Sequence, residues 1–117
     1  MKVAVIGSRG LNIDVSRFIP EGTTQIISGG ARGIDSQAEL YAKKHGLPVC
    51  IFRPDYQTHG AKAPLLRNFD IIDAADYIIA IWDGKSRGTL HALNYAKRQK
   101  KPVRTYRLQR VPPPRTP

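Results

Sequence analysis

The sequence predicts a doubly wound α/β domain, with a parallel sheet of about five strands in the order 3-2-1-4-5 and helices on both faces. Short apolar runs rich in β-branched residues alternate along the chain with segments whose apolar residues recur at helical spacing. Strands separated by helices pair in parallel through right-handed crossovers. A length of 117 residues suits one such domain.

Each element follows from a local pattern. The predicted strands are residues 1–6, 24–28, 49–52, 76–82 and 103–108. The predicted helices are residues 14–19, a segment that runs from Ile34 and ends at Gly46, residues 64–74 and residues 89–100. Gly46 suits the left-handed position after a helix, and Pro64 suits a first helical turn. Residues 53–63 form a long connection, for which we predict a binding loop or lid.

The net charge of +10 is confined to the C-terminal end. Residues 1–83 carry nine basic and nine acidic side chains, whereas residues 84–117 carry ten basic and no acidic ones. We expect one domain over residues 1–108 and a basic, extended tail over residues 109–117, because its prolines lack the N–H that helices and central strands need. The basic end fits either a solvated helix face with a flexible tail or a nucleic-acid contact.

Cysteine content and hydropathy indicate a cytoplasmic protein. The single Cys50 lies in an apolar run and cannot form an internal disulfide. No apolar run approaches the roughly 18 residues that a membrane span needs, and the first apolar stretch is too short for a signal peptide. We therefore expect a cytoplasmic location and no membrane partner. The spacing of histidine, cysteine and carboxylate residues matches no metal site.

Three glycine-bearing turns are predicted to meet at the carboxyl edge of the sheet, where doubly wound folds bind ligands. They are residues 7–10, 28–33 and 83–89. Glycine lets backbone N–H groups approach a ligand, and the N-terminus of the following helix favours an anion. Each turn carries an arginine that suits phosphate oxygens, namely Arg9, Arg32 and Arg87. The turns predict a phosphate site, although each one alone would also serve as an ordinary strand-to-helix connection.

The turns match no standard nucleotide motif. The first two lack the dinucleotide pattern G-x-G-x-x-G, and Ile79 stands where a P-loop ending at Ser86 would need a glycine. Ser36 and Glu39 have the spacing of a capping box. Asp35 fits either the positive end of its helix or a ribose hydroxyl.

Two longer stretches, SGGARGIDSQAE and PLLRNFDIIDAADYIIAIWDGKSRGT, resemble the SLOG superfamily. These Rossmann-like proteins include the DNA-processing protein DprA and the LOG phosphoribohydrolases, and the sequence is most similar to the small YspA-type branch. The resemblance covers residues 2–101. It implies a Rossmann-like fold and the binding of nucleotides or nucleotide-derived ligands, and several members cut an N-glycosidic bond.

The resemblance also implies roles for individual residues. Gly29, Gly30, Gly88 and Thr89 would contact phosphate, and Arg67 would reach the ligand from the helix after the long loop. Taken with the turns, the expected ligand contacts are Gly7, Ser8, Arg9, Ser28, Gly29, Gly30, Arg32, Gly33, Asp35, Arg67, Asn68, Trp82, Asp83, Lys85, Ser86, Arg87, Gly88 and Thr89. This sequence departs from the LOG motif in two ways. The glutamate of the motif would fall at position 92, which is Ala92, and residues 83–87 stand in place of its proline and glycines.

Several residues have an open role. Candidates for proton chemistry are Asp35, Glu39 and His91, although a helix histidine is commonly only solvated. Trp82 fits either stacking on a purine or packing at the strand end.

The favoured function is a binding module for a nucleotide or nucleotide-derived ligand that needs no further cofactor. The alternatives are a nucleotide N-glycosidic hydrolase and a DprA-like binder of single-stranded nucleic acid through the basic C-terminal end. A homodimer is also expected from the resemblance.

Overall fold

A computed structural model describes residues 1–108 of the protein. The strands are β1 (Lys2–Gly7), β2 (Gln25–Ser28), β3 (Val49–Ile51), β4 (Tyr77–Trp82) and β5 (Val103–Arg107). The α-helices are α1 (Ile34–Lys44), α2 (Tyr56–His59), α3 (Ala63–Ala74) and α4 (Arg87–Arg98). All neighbouring strands pair in parallel, in the order β3-β2-β1-β4-β5. The predicted fold class and strand order are confirmed.

Side chains of the central strand alternate between two hydrophobic cores. Val3 and Val5 pack on the α1 side, together with the segment that precedes β2. Ala4 and Ile6 point to the other side, where α3 and α4 cover the sheet. This alternation follows from the two-residue period of a strand, and it explains why β1 is apolar without interruption.

The helix predicted over residues 14–19 is wrong. Only a 3₁₀ turn forms there, at Ser16–Phe18. The Asp14 carboxylate accepts hydrogen bonds from the backbone N–H and the hydroxyl of Ser16, at 2.8 and 2.5 Å. These local bonds stabilise a turn in place of a helix. Phe18 still reaches the core, so the apolar spacing reflects packing without a full helix.

The long connection over residues 53–63 contains short helices. Helix α2 starts after Asp55, whose side chain accepts from the N–H of Thr58 at 3.1 Å. A 3₁₀ turn at Gly60–Lys62 then leads directly into α3. Whether this segment closes over a ligand stays a prediction.

The capping box predicted at Ser36 and Glu39 is wrong. Helix α1 begins after Gly33, whose φ of 77° suits glycine, so Ser36 already lies inside the first turn. The Ser36 hydroxyl donates to the carbonyl of Ala31, while Glu39 accepts from the Ser28 hydroxyl at 3.2 Å. Both side chains therefore fasten α1 to the turn before it.

The last helix starts two residues earlier than predicted. Ser86 caps α4, and its hydroxyl accepts from the N–H of Thr89. The third turn therefore comprises residues 83–86.

Two further predictions concern the C-terminal tail and membrane-spanning helices. The tail predicted over residues 109–117 lies outside the described residues. No helix within residues 1–108 is long and apolar enough to cross a membrane.

Candidate functional site

A cavity of about 510 Å³ lies at the carboxyl edge of the sheet, beside the point where the chain order reverses between β1 and β4. Its volume falls within the roughly 300–1,000 Å³ that small-molecule sites occupy. Residues from all three glycine-bearing turns and from helices α1, α3 and α4 line it. They are Ile6, Gly7, Ser8, Arg9, Gly10, Ala31, Asp35, Pro64, Leu65, Arg67, Asn68, Ile71, Asp83, Lys85, Ser86, Gly88, Thr89 and Ala92.

Ser8 joins the first turn to the third. Its backbone N–H donates to the carbonyl of Ile81 at 3.1 Å, and its hydroxyl oxygen accepts from the N–H of Asp83 at 3.0 Å. The residue is buried and lines the cavity. The hydroxyl hydrogen has no acceptor among the described residues, so Ser8 has a donor left for a ligand.

The third turn is a compact loop that presents the N-terminus of α4. The Asp83 carboxylate accepts from the N–H groups of Lys85 and Ser86 at 2.8 and 2.9 Å. Nε1 of Trp82 donates to the carbonyl of Ser86 at 3.0 Å. These bonds fix the capping residue of α4 relative to the end of β4.

The first turn of α4 has hydrogen-bond donors without an acceptor among the described residues. The N–H of Thr89 bonds to the Ser86 hydroxyl, and the N–H of Leu90 bonds to the Ser86 carbonyl. Within residues 1–108 no acceptor meets the N–H groups of Arg87 and Gly88, as expected for the start of a helix. The hydroxyls of Ser86 and Thr89 share one hydrogen bond, which leaves one of their two hydrogens unused.

In the second turn, as in the third, side chains of the protein itself occupy backbone N–H groups. The N–H of Gly30 donates to the Ser28 hydroxyl, and the N–H of Ala31 donates to the Asp35 carboxylate, both at 3.2 Å. The N–H of Gly29 also approaches Asp35. The turn thus already contains an anion, the Asp35 carboxylate.

Asp35 is the most strongly perturbed acid of the site. It is 7% exposed, and burial raises the pKa of its carboxyl to about 6. The hydrogen bond from Ala31 and the charge of Arg67 act in the opposite direction but do not cancel this effect. The carboxyl therefore changes its charge at a pH slightly below neutral, and it lines the cavity.

Arg67 connects α3 to the second turn. Its Nη1 donates to the carbonyls of Gly29 and Phe52. Burial lowers the pKa of the guanidinium, while the neighbouring Asp35 carboxylate raises it. Nε of Arg67 is buried and has no hydrogen-bond partner within the described residues. A buried donor without a partner is costly, so this atom indicates a missing acceptor.

The structure brings eleven of the eighteen expected ligand contacts to the cavity. These are Gly7, Ser8, Arg9, Asp35, Arg67, Asn68, Asp83, Lys85, Ser86, Gly88 and Thr89. The other seven do not line it, and these are Ser28, Gly29, Gly30, Arg32, Gly33, Trp82 and Arg87. Most of the second group belong to the second turn, whose contacts are internal.

The apolar character of part of the cavity lining was not predicted from the sequence. Pro64, Leu65 and Ile71 contribute it from α3, and Ala92 contributes it from α4. These α3 residues lie three or four positions from Arg67 or Asn68, two of the expected ligand contacts, so they share one side of the helix with them. This spacing is the feature of the sequence that could have identified them.

The remaining candidates for proton chemistry lie away from the cavity lining. Glu39 accepts from the Ser28 hydroxyl. The His91 ring lies 5.3 Å from that of Phe69, and its buried Nδ1 has no partner within the described residues. Among residues 1–108, no group of three or more His, Cys, Asp or Glu side chains is placed to hold a metal ion.

The sequence is similar to that of a phage protein. It is 37% identical over 84 residues to the Gene 61 protein of Mycobacterium phage D29, and the match covers 67% of this chain and 67% of that protein. No protein-family model matches the sequence, and no solved structure matches it significantly.

Proposed function

The chain belongs to the family of the Gene 61 protein of Mycobacterium phage D29, and we propose that it is a binding module for a nucleotide or nucleotide-derived ligand. The observation that carries this proposal is the cavity at the β1–β4 boundary, which collects cationic and hydroxyl groups beside the N-terminus of a helix. Such a combination favours a phosphate. The resemblance to the SLOG superfamily supports the same ligand class.

The phosphate lies between the first turn and α4 in this proposal. Arg9 and Lys85 supply positive charge there, and both line the cavity. Ser8 and the unbonded N–H groups at the start of α4 supply hydrogen-bond donors. The second turn is the weaker choice, because Ala31 alone of residues 28–33 lines the cavity, and its N–H already contacts Asp35.

Asp35 would then face the sugar of the ligand. A carboxylate accepts hydrogen bonds from two adjacent hydroxyls, and this one lies in the cavity near the buried Nε of Arg67.

A thermal-unfolding scan tests the proposal. The full chain is heated with mono-, di- and cyclic nucleotides, NAD and ADP-ribose, with inorganic phosphate as the control. A ligand at a hundred times its Kd adds about 2.7 kcal/mol to the free energy of unfolding, which shifts the midpoint by several degrees. A panel without any shift would contradict the proposal.

A matched pair of variants locates the phosphate. Arg9→Glu and Arg32→Glu make the same change of charge at exposed arginines of neighbouring turns, but only Arg9 lines the cavity. We expect Arg9→Glu to abolish the thermal shift and Arg32→Glu to retain most of it. The reverse result would move the phosphate to the second turn.

A second candidate function is N-glycosidic hydrolysis, favoured by the burial of Asp35. A cavity carboxyl whose pKa is about 6 can protonate a departing base near neutral pH. Released ribose phosphate that disappears in Asp35→Asn would support this reaction. Ala92 lines the cavity at the position of the LOG glutamate, so the reaction would have to proceed without that carboxylate.

Further proposals concern location and partners. We propose a cytoplasmic location, since the single Cys50 is unpaired. The basic C-terminal end is proposed as a weak contact for single-stranded nucleic acid, with the Arg104 guanidinium 5.6 Å from the centre of the Tyr106 ring. Homodimerisation is proposed from the resemblance, and size-exclusion chromatography with light scattering would test it.

A further inference from the structure

The cavity has an apolar side that the proposed phosphate site does not use. Ile6, Ile71 and Ala92 line it and belong to the core between the sheet, α3 and α4. Pro64 and Leu65 line it from the first turn of α3, and Leu65 is 39% exposed. A leucine beside a cavity and partly in water offers apolar surface for a ligand to cover.

Asn68 places an acceptor beside this apolar side. It follows Pro64 by four residues and Leu65 by three, so the three side chains share one side of α3. Nδ2 of Asn68 donates to the carbonyl of Gly88 at 3.3 Å. Because a carbonyl oxygen can only accept, this bond fixes the orientation of the amide.

The fixed amide leaves its oxygen without a partner. Asn68 is nine-tenths buried and lines the cavity, and no donor within residues 1–108 reaches its Oδ1. The fully buried side-chain atoms without a partner among the described residues are Nε of Arg67 and Nδ1 of His91, so Oδ1 of Asn68 is open to the cavity. A ligand with an N–H or O–H group can donate to it there.

We infer that the ligand carries a nucleobase, which lies over Pro64 and Leu65 and donates from its N–H edge to Oδ1 of Asn68. This inference rests on the proposed function, because it assigns the other half of a ligand whose phosphate lies at α4. A nucleobase has an apolar face and a polar edge, which match a leucine and an amide oxygen side by side. A sugar phosphate without a base would leave both groups unused.

The sequence suggests Trp82 as an alternative stacking partner for the base. In the structure its Nε1 donates to the carbonyl of Ser86, and the side chain does not line the cavity. Trp82 therefore stabilises the third turn, and the base belongs on the α3 side.

Calorimetric titration of the full chain tests the inference. AMP, GMP, CMP and UMP are compared with ribose 5-phosphate on the unaltered protein, on Leu65→Ala and on Leu90→Ala. Leu90 is the matched control, because it is 42% exposed in the first turn of α4 and does not line the cavity. Both substitutions remove the same atoms from a partly exposed helical site.

We expect at least one nucleotide to bind about tenfold more tightly than ribose 5-phosphate, through burial of apolar surface and one hydrogen bond. Leu65→Ala should reduce this ratio of affinities by a factor of roughly three to ten and leave ribose 5-phosphate binding unchanged. Leu90→Ala should change neither the ratio nor the binding of ribose 5-phosphate. The inference is overturned, with the phosphate site intact, if all four nucleotides bind no more tightly than ribose 5-phosphate. It is equally overturned if Leu65→Ala preserves the full advantage. If neither the sugar phosphate nor any nucleotide binds, the proposed function fails and the inference falls with it.

Discussion

Gly29 is required by the two charged side chains that meet at the second turn. A Cβ at this position would lie 2.6 Å from Nη1 of Arg67 and 2.9 Å from Oδ2 of Asp35. Arg67 is also held by the carbonyls of Gly29 and Phe52, so it has little freedom to withdraw. The glycine thus serves the packing of the site from a position that does not line the cavity.

We predict that Gly29→Ala lowers the free energy of unfolding by about 1–3 kcal/mol, because the added methyl displaces Arg67 or Asp35. Gly88→Ala is the matched control. A Cβ on Gly88 meets no atom within 4 Å, and the residue lies in the first turn of α4, where alanine is favoured by about 0.5–1 kcal/mol. Urea denaturation of both variants measures the difference. Equal losses in the two variants would contradict the close approach at Gly29.

The buried Asp35 carboxyl makes the stability of the fold depend on pH. Its pKa is raised from 3.8 to about 6 in the folded protein, so the folded state holds this proton more tightly than the unfolded state does. The proton stabilises the fold fully below pH 4, and this contribution is lost as the pH rises through 6. Arg67 and the N–H of Ala31 reduce the effect, and Glu39 adds to it.

We predict that, relative to Asp35→Asn, the unaltered protein loses on the order of 2–3 kcal/mol of unfolding free energy between pH 4 and 7. The asparagine oxygen can still accept from Ala31, so the comparison isolates the titration. Urea denaturation at several pH values measures it. Asp14→Asn is the control, because hydrogen bonds from Ser16 lower the pKa of Asp14 and its effect has the opposite sign. A constant difference between protein and Asp35→Asn would show that the carboxyl is not buried as described.

At the scale of elements, the start of α4 combines a structural and a binding role in one residue. Ser86 caps the helix through the N–H of Thr89, and it also lines the cavity. The unbonded N–H groups that follow it are the donors proposed for phosphate. Capping and anion binding can be separated, because aspartate caps a helix as well as serine does but carries a negative charge.

We predict that Ser86→Asp keeps the unfolding free energy of the protein or raises it, and that it abolishes the thermal shift caused by a nucleotide. The carboxylate would occupy the anion position and repel phosphate. Ser86→Ala should instead cost about 1 kcal/mol of stability through loss of the cap. Chemical denaturation and ligand titration of the two variants check both parts. Nucleotide binding that survives in Ser86→Asp would place the phosphate away from α4.

Local sequence patterns determine some elements of this fold and not others. Apolar runs and glycine-bearing turns predicted the sheet, because buried parallel strands and their connections leave strong local signals. The helix predicted at residues 14–19 failed, because the Asp14 side chain bonds to the backbone of Ser16. The apolar lining at Leu65 was missed, because a leucine beside a cavity and one in a core look alike in sequence.

The internal contacts of the second turn could not be predicted for a related reason. Its glycines and Asp35 suit an external phosphate and an internal carboxylate equally well. Only the folded arrangement shows that the N–H of Ala31 meets Asp35. Contacts between distant segments of the chain can therefore be identified only from the structure. The fold that brings these segments together could be predicted from the sequence.

At the scale of the whole molecule, the excess of positive charge and the proposed ligand site lie mostly in different parts of the chain. Every described residue that lines the cavity lies between positions 6 and 92, whereas most of the unbalanced basic residues follow position 96. Lys101 donates to the carbonyls of Asp73 and Ala75, so part of this charge also fastens the C-terminal end to α3. Nucleotide binding and any nucleic-acid binding should therefore respond differently to shortening of the chain.

We predict that removal of residues 109–117 leaves the nucleotide-induced thermal shift unchanged and weakens binding of a single-stranded oligonucleotide. The removed segment contains Arg110 and Arg115, and each phosphate contact on a single strand contributes about 0.7 to the slope of log affinity against log salt. The slope should therefore decrease by up to about 1.4. Fluorescence anisotropy at several salt concentrations measures the slope, and the thermal scan provides the control. If the shortened chain lost the nucleotide shift as well, the C-terminal residues would have to contribute to the cavity itself.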